Sequence, residues 1–583
     1  MSQLFGQTLR ETPVEAEVAS HQLLLRAGFI RQLASGIFSY LPLAWRSLRK
    51  VEAIIREEIE AIGGQEISMP LVHPADIWKK TGRWDDVGDE LGRFTDRTGR
   101  DMALAMTHEE VVADLAAREI QSYRQLPRLV YHFQLKWRDD PRPRSGLIRV
   151  REFTMKDSYS LDADWAGLEK QYRAHYQAYF NIFNRCGVPG VAVKSDVGMM
   201  GGKLAHEYMY LTPIGEDTLV NCGVCGYSAN RQVALFEKTA VDGGQAAAVE
   251  KVATPGTATI DALAKLLAVP TTQTAKAVFI VAQVEEGEQF VLALVRGDME
   301  LNETKLANIV KARELRPAQD EEIRATGAVP GYGSPMGVEG ALVVVDDLVA
   351  TSTNLIGGAN EEGFHLLNLN CGRDYKADLV GDIAAAQEGD GCPECGQQLT
   401  TTRGVEVGNI FQLGTRYTDA LGSNFLDAEG RSQPVVMGSY GIGVGRLLAC
   451  IAEEHHDEQG LCWPVSVAPF PVHMVVLARA GGVAAEAADK LYGDLQRAGI
   501  EVLFDDRDEN PGVKFNDADL LGAPVRLTVG ERSLKKGQIE MKLRTAADRQ
   551  DVPLEGAVQR VADELAVLRQ ELDGRVVEVP YKD

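Results

Sequence analysis

Residues 131–159 read YHFQLKWRDDPRPRSGLIRVREFTMKDSY, and no other stretch restricts the fold as much. Segments 131–138 and 147–156 carry alternating or apolar-rich patterns with aromatic and β-branched residues, the mark of strands. Between them DDPRPRSG crowds proline, glycine and charge into a turn. The pattern predicts a long antiparallel hairpin with a mobile basic tip. A solvated hairpin laced with salt bridges satisfies that composition. So does a second use. Arg138 falls at a strand end, and Arg151 and Phe153, two apart, share one face of the returning strand. Guanidinium groups match phosphate oxygens bidentately and an aromatic plate stacks on a base, which is what a nucleoside triphosphate requires.

The chain has 583 residues and a formal charge of −23. That length predicts several domains, each able to bury a core. The acidic balance excludes a protein that coats nucleic acid indiscriminately and leaves a nucleic-acid partner only local basic patches such as the hairpin tip. No apolar run reaches membrane-spanning length. The first residues, MSQLFGQTLRETPVEAEVASHQ, have early acids and no apolar core, unlike a signal peptide. The expectation is a cytoplasmic protein with no membrane partner. Eight cysteines in so long a chain do not suggest a disulfide scaffold. Four fall in two CxxC pairs, Cys222/Cys225 and Cys392/Cys395, each followed by glycine. The pairs bracket an apparent insertion, so its ends are expected to be neighbours and four thiolates can meet around zinc. A reduced thiol cluster is the alternative.

Ahead of the hairpin, residues 16–62 read as helical with breaks, stopping at Gly63-Gly64 before a short strand, EISMP. DMALAMTHEEVVA, residues 101–113, runs from strand into helix. Its His108-Glu109 lacks the second histidine of a zinc-protease motif, because position 112 is valine. Thr107 with Glu110 three residues on fits a helix cap. Equally, Glu109 offers a countercharge and Thr107 an acceptor to a ligand ammonium. An amphipathic helix over 161–186 follows the hairpin, then a strand, a glycine-rich turn and a strand holding His206, which reads most simply as a core histidine. Between the cysteine pairs lies a compact α/β pattern in which Lys276, Asp346 and His365 are ambiguous by chemistry alone. After Cys395, RGVEVGNIFQLGTRYTDAL holds Glu406 and Gln412, six apart and so on one face of a regular strand. VVMGSYGIGVGRLLACIAEE is strand, glycine turn and helix, and its GxGxG spacing does not fit a dinucleotide fold. From 466 the chain alternates as a small open sheet with helices, and DDRDENPGVKF holds Arg507 and Lys514.

Together these stretches resemble the class II aminoacyl-tRNA synthetases. WRDD-PRPRSG-LIRVREF is similar to the motif 2 hairpin of the bacterial-type prolyl-tRNA synthetases, and the likeness runs along nearly the whole chain. The resemblance implies an α/β and α+β multidomain fold. An antiparallel-sheet catalytic domain comes in two parts, 1–221 and 396–465. An α/β editing domain, 222–395, is inserted between them, and a C-terminal α/β anticodon-binding domain covers 466–583. The resemblance implies that ATP with Mg2+ joins proline to tRNA(Pro) through a prolyl adenylate, and that the helix ending near Gly63 and the strand stopped by Pro70 build a homodimer. It gives Arg138, Glu406 and Arg446 catalytic roles, with Arg151, Phe153 and Gln412 completing the ATP site. Thr107, Glu109, Gln412 and His206 would bind proline. Arg142, Arg507 and Lys514 would touch tRNA. Lys276, Asp346 and His365, with GGAN at 357–360, would hydrolyse alanyl-tRNA(Pro). A proline pocket cannot exclude the smaller alanine, since missing methylenes are worth only about 1–3 kcal/mol, so a second sieve has a physical reason to exist. One departure stands at the centre: the family's Phe-Arg-x-Glu is Trp137-Arg138-Asp139-Asp140 here. A class II paralogue using another amino acid, or a tRNA-binding regulator, shares these motifs, and intact Arg138, Glu406 and Arg446 disfavour the regulator.

Overall fold

The computed structural model describes residues 1–240, 243–477 and 482–581. The chain forms two compact units. Met1–Ala192, Val197–Glu216 and Gly404–Asp583 make the first, and Val193–Asp196 with Asp217–Arg403 the second.

In the first unit, helix α1 (Pro42–Ala61) opens on a proline and buries Leu43, Ala44, Leu48, Val51, Ile54, Ile55 and Ile59 along one stripe. It stops where Gly64 comes in so close that a Cβ there would stand 2.6 Å from the Ile59 side chain. The residues before it are not one interrupted helix: Ala19–Arg26 is helical, and Ile30–Ala34 then pairs antiparallel with Ile37–Tyr40. Helix α2 (Glu109–Glu119) precedes the hairpin of β1 (Arg128–Trp137) and β2 (Glu152–Asp162), whose antiparallel register runs unbroken from Arg128↔Leu161 to Trp137↔Glu152. The second strand starts later than its apolar pattern predicts. Leu147 and Ile148 instead plug the core from a turn through Ser145 and Gly146, both at positive φ.

Helix α3 (Trp165–Arg185) is capped by Asp164, whose carboxylate accepts from the Gly167 amide at 2.8 Å. Strands β3 (Leu204–Leu211), β4 (Thr400–Gly414) and β5 (Val436–Gly443) join the hairpin in the order β3-β4-β5-β2-β1, all antiparallel, and Gln65–Glu66 adds a parallel edge. Helices α1, α3 and α4 (Val444–Glu454) share one apolar core with Tyr131, Tyr208, Val407, Ile410, Tyr440 and Ile442 from one face of this sheet. Lys156 lies on that core face, fully buried, and its ammonium donates to the Tyr179 hydroxyl at 2.7 Å, the Ser158 hydroxyl at 3.1 Å and the Tyr440 carbonyl at 3.2 Å. The opposite face carries the polar groups described below.

The C-terminal part builds a five-stranded sheet in the order Val502–Asp505, Val472–Leu477, Val525–Gly530, Gln538–Leu543, Gln550–Pro553, with the first three parallel. In the second unit a five-stranded sheet runs Glu314–Pro317, Ala275–Val284, Gly287–Arg296, Leu342–Asp346, Leu379–Gly381, beside a three-stranded sheet of Glu250–Ala253, Phe364–Leu369 and Leu355–Gly358. Alternation along Ala275–Val284 sends Ala275, Ala277 and Phe279 to one apolar layer and Val278, Ile280 and Ala282 to the other. Among the described residues no helix is long and apolar enough to cross a membrane.

Candidate active site

Strand parity decides what faces the site. Lys136 pairs with Phe153 and His132 with Asp157, so these four and Arg138 share the face away from α1, α3 and α4. Trp137 points the other way, with its indole edge packed so close to Gly92 that a Cβ there would meet it at 2.6 Å. The Arg138 side chain sits 5.3 Å over the Phe153 ring and donates to the Met106 carbonyl at 3.3 Å, while its buried Nε has no partner. Burial disfavours its charge, and Glu406 acts in the opposite direction. Arg446, in the first turn of α4, donates to the carbonyls of Ile148 at 2.8 Å and Glu406 at 2.9 Å and pairs with the Glu406 carboxylate at 3.3 Å.

Glu406 reaches this face through a bulge. Tyr208 pairs with Gly408 but Met209 with Glu406, leaving Val407 as the extra residue in β4. Two residues of a regular strand six apart share a face, and the bulge reverses that. Glu406 and Asn409 stay together, the Asn409 amide donating to the Glu406 carboxylate at 2.6 Å. Gln412 turns to the helix face and donates to Glu169 on α3 at 2.7 Å. His206, opposite Ile410, also faces α3, its Nδ1 2.7 Å from the Tyr172 hydroxyl. Gln412 and His206 therefore do not join Arg138, Glu406 and Arg446. Asn409 does, and sequence reading passed over it because the bulge has no local signal. Gly441 lets two side chains come close: a Cβ would lie 2.5 Å from the Met155 methyl and 3.0 Å from the Asn409 amide oxygen, so either would have to move aside.

At the other end, Glu109 is 2 % exposed. One carboxylate oxygen accepts from the Ser439 hydroxyl at 2.9 Å, and the other has no hydrogen bond but lies 3.7 Å from the Arg83 guanidinium. Helix α2 is not capped by Thr107. His108 occupies the cap position without a side-chain bond, and Glu110 pairs at 2.9 Å with Arg83, a fully buried guanidinium that also donates to Thr107 at 3.1 Å. Arg83 packs over Trp78 and Tyr417. Burial pushes the Glu110 carboxyl up, and Arg83 opposes that shift. Arg83 carries no motif that sequence reading could single out.

The hairpin tip is braced. Asp140 accepts from the Arg142 amide at 2.7 Å and from Arg149 at 2.7 Å, and Glu216 pairs with Arg149 at 2.8 Å and with Arg144. Arg151 donates to the Asp140 carbonyl at 2.9 Å, and Arg142 is exposed. The shortened Asp140 thus closes the loop on itself instead of reaching across the sheet.

Elsewhere the expected residues separate. In the second unit Asp346 is fully buried, caps the Leu348 amide at 3.1 Å, accepts from the Ile383 amide at 3.0 Å and pairs with Lys238 at 2.7 Å, so it is a structural carboxylate. Lys276 pairs with Glu300 at 2.8 Å and lies on the layer of Val278 and Ile280. His365 bonds Thr254 at 2.6 Å and packs 5.5 Å from the Tyr332 ring, beside Gly333 and Phe279 on the opposite layer. The structure does not bring Lys276 and His365 together. In the C-terminal part Arg507 is held by Asp505 and Asp517, each at 2.8 Å, and buried Lys514 donates to the Val476 carbonyl at 2.8 Å. Both are committed to the fold.

The cysteines do converge. Their sulfurs lie within 4.8 Å of one another, with Cys222–Cys395 and Cys225–Cys392 each at 3.5 Å. A disulfide requires about 2.05 Å. Four sulfurs about 2.3 Å from one tetrahedral ion lie about 3.8 Å apart, so the donor set fits zinc. Two matching knuckles present them: the Gly226 amide bonds the Cys222 carbonyl at 3.0 Å, and the Gly396 amide the Cys392 carbonyl at 2.9 Å. Amides of Cys225 and Val224 lower the Cys222 thiol to about 6.

Residues 93–455 match the tRNA synthetase class II core domain (G, H, P, S and T), and residues 470–564 match an anticodon binding domain. The chain is 57% identical over 584 residues to a proline–tRNA ligase of Salinispora tropica, covering 99% of this chain and 98% of the relative. It is 49% identical over 572 residues to a proline–tRNA ligase of Dehalococcoides mccartyi, covering 98% and 99%. A solved prolyl-tRNA synthetase of Cryptosporidium parvum, complexed with L-proline and AMP, shares the fold with a TM-score of 0.58 at 13% identity, over 98% of this chain and 79% of that one. This chain belongs to the class II prolyl-tRNA synthetases, the family of proline–tRNA ligases.

Proposed function

We propose that this chain activates proline with ATP and transfers it to tRNA(Pro). The observation that carries the reading is a pair of buried polar atoms without hydrogen-bond partners, the second oxygen of Glu109, 3.7 Å from the Arg83 guanidinium, and Nε of Arg138. That Glu109 oxygen, still lacking a hydrogen bond, suits the secondary ammonium of proline, and Thr107, already accepting from Arg83, has a second lone pair for its other N–H. Arg138 meets the carboxylate and the α-phosphate, Phe153 stacks on the adenine, and Arg446 with Arg151 holds the outer phosphates. Glu406, aided by Asn409, is the acidic group available to a nucleotide-bound Mg2+, which supplies neutralising charge. A carboxylate oxygen of proline forms a bond to the α-phosphorus in line as the bond to pyrophosphate breaks. Positioning and charge do the catalysis, since no protein nucleophile is needed. The terminal tRNA hydroxyl then attacks the adenylate carbonyl and AMP leaves, with exposed Arg142 at the acceptor end.

In this reading the catalytic domain comprises 1–221 and 396–465, the editing domain 222–395 and the anticodon-binding domain 466–583. The insertion hydrolyses alanyl-tRNA(Pro) with His365 at its site, and its cysteine neck holds structural zinc. The anticodon meets the surface around Phe515, Lys542 and the exposed Arg549, which line one 250 Å³ cavity together with Arg526, itself paired with Asp519. The protein works in the cytoplasm as a homodimer. ATP–pyrophosphate exchange across the amino acids tests the central claim: proline supports exchange best, with alanine the weaker substrate that an editing domain presupposes. A preference for any other amino acid, or no exchange with proline, refutes it.

A further inference from the structure

Beneath the Thr107–Glu109 segment lies a cluster that the reaction above does not use. Lys136 is fully buried, and its ammonium touches the Asp157 carboxylate and Nδ1 of His108, with His132 Nε2 at 3.4 Å. His108 Nε2 faces the Pro70 carbonyl at 2.9 Å, and His73 Nε2 faces the same oxygen at 3.0 Å. A carbonyl only accepts and an ammonium only donates, so His108 must carry its proton on Nε2 and offer a lone pair at Nδ1. His132 Nε2 lies 3.1 Å from Asp157 and donates to it. The groups His108, His132 and Asp157 have the composition of a metal site, but the ammonium of Lys136 already contacts all three, so no cation is proposed there. Burial first, then the Lys136 charge, keeps His108 well below the ordinary histidine range.

We propose that Lys136 is a positioning residue for amino-acid recognition: its ammonium, bridging Asp157 and the lone pair of His108, clamps the segment that aims Thr107 and the second oxygen of Glu109 at the substrate. His108 stands directly between those two residues, so one hydrogen bond to its ring fixes both neighbours. The bond costs the site no net charge, because Asp157 balances Lys136. The proposal rests on Glu109 being the countercharge for the substrate ammonium.

The test is ATP–pyrophosphate exchange with KM measured separately for proline and for ATP. The paired variant Lys136→Met/Asp157→Asn removes the clamp without leaving a lone buried charge. His108→Gln keeps an acceptor and a donor side by side, and His108→Leu keeps neither. The paired variant and His108→Leu should raise KM for proline roughly 10- to 100-fold, the scale set by misplacing a positioned group, while KM for ATP stays near the wild-type value. His108→Gln should restore most of the loss. Proline and ATP constants that rise together, or Gln and Leu variants that behave alike, overturn the clamp and make the cluster mere packing. If the paired variant does not fold, the two His108 variants decide by themselves. Should the wild-type protein prefer another amino acid to proline, the functional reading falls, while that amino acid's KM in the same variants still judges the clamp.

Discussion

Lys156 gives a quantity that can be worked from the structure. Its ammonium is fully buried behind the catalytic sheet among hydroxyls and a carbonyl, and burial lowers it from 10.5 to about 7, with Asp157 opposing the shift. A drop of that size amounts to a penalty of about 5 kcal/mol for carrying the charge in the folded state. Between pH 7 and 10.5 the unfolded chain holds this proton and the folded chain does not, so stability must climb as pH rises. The penalty is full below about 7 and gone above 10.5. It should relax by about 2 kcal/mol between pH 7 and pH 9, with a slope never above about 1.4 kcal/mol per pH unit. Lys156→Met removes the titration and keeps an unbranched chain in the core. It also leaves the Tyr179 hydroxyl and the Tyr440 carbonyl without their donor, a cost that does not vary with pH over this range. Urea unfolding of both proteins at pH 7, 8 and 9, compared at equal pH, cancels the other titrating groups. The wild type should gain on the variant as pH rises. Parallel pH profiles would show that Lys156 titrates as an ordinary lysine and refute the argument.

Arg138→Ala and Arg446→Ala should each cut proline-dependent exchange at least about 100-fold in a folded protein, as loss of a preorganised charge does, and near-normal exchange removes the residue from the mechanism. Glu110→Leu removes the nearer of the two carboxylates beside the Arg83 guanidinium, leaving Glu109 at 3.7 Å, and should cost up to about 3 kcal/mol; an unchanged thermal midpoint would contradict the buried pair. Protein purified without chelator should contain about one zinc per chain, and four free thiols with no metal would reject the cysteine site. Given preformed alanyl-tRNA(Pro), His365→Ala should lose hydrolysis while Lys276→Ala retains most of it; the opposite order would mean that Lys276 leaves its ion pair to work.

What the sequence revealed, and what it hid, follow one physical divide. The hairpin, the helix after the glycine turn and the cysteine knuckles are local patterns, and β1, β2, α4 and the four-sulfur cluster follow from them. Leu147 and Ile148 look like strand residues because apolar content alone cannot distinguish a strand from a core plug. Glu406 and Gln412 were expected on one face because spacing assumes a regular strand, and the one-residue bulge at Val407 is set by the partner strand β3. Arg83, Lys136 and His132 left no mark because each acquires meaning only from groups brought to it by the fold. Asp346, Arg507 and Lys514 show the converse: charged residues in suggestive places whose charges are spent within the structure.

The sheet behind the site has a consequence for synthesis on the ribosome. Strand β2 takes β5 as its neighbour, and β3 takes β4, yet the whole insertion separates the members of each pair. The cysteine partners likewise stand 173 residues apart. At a usual elongation rate of about 5–20 residues per second, the first knuckle waits roughly 10 to 35 s for the second. During that interval the hairpin's inner edge is unpaired and two thiols are without their partners. The nascent chain therefore has to shield an open strand edge and a half-made metal clip while the insertion emerges between them.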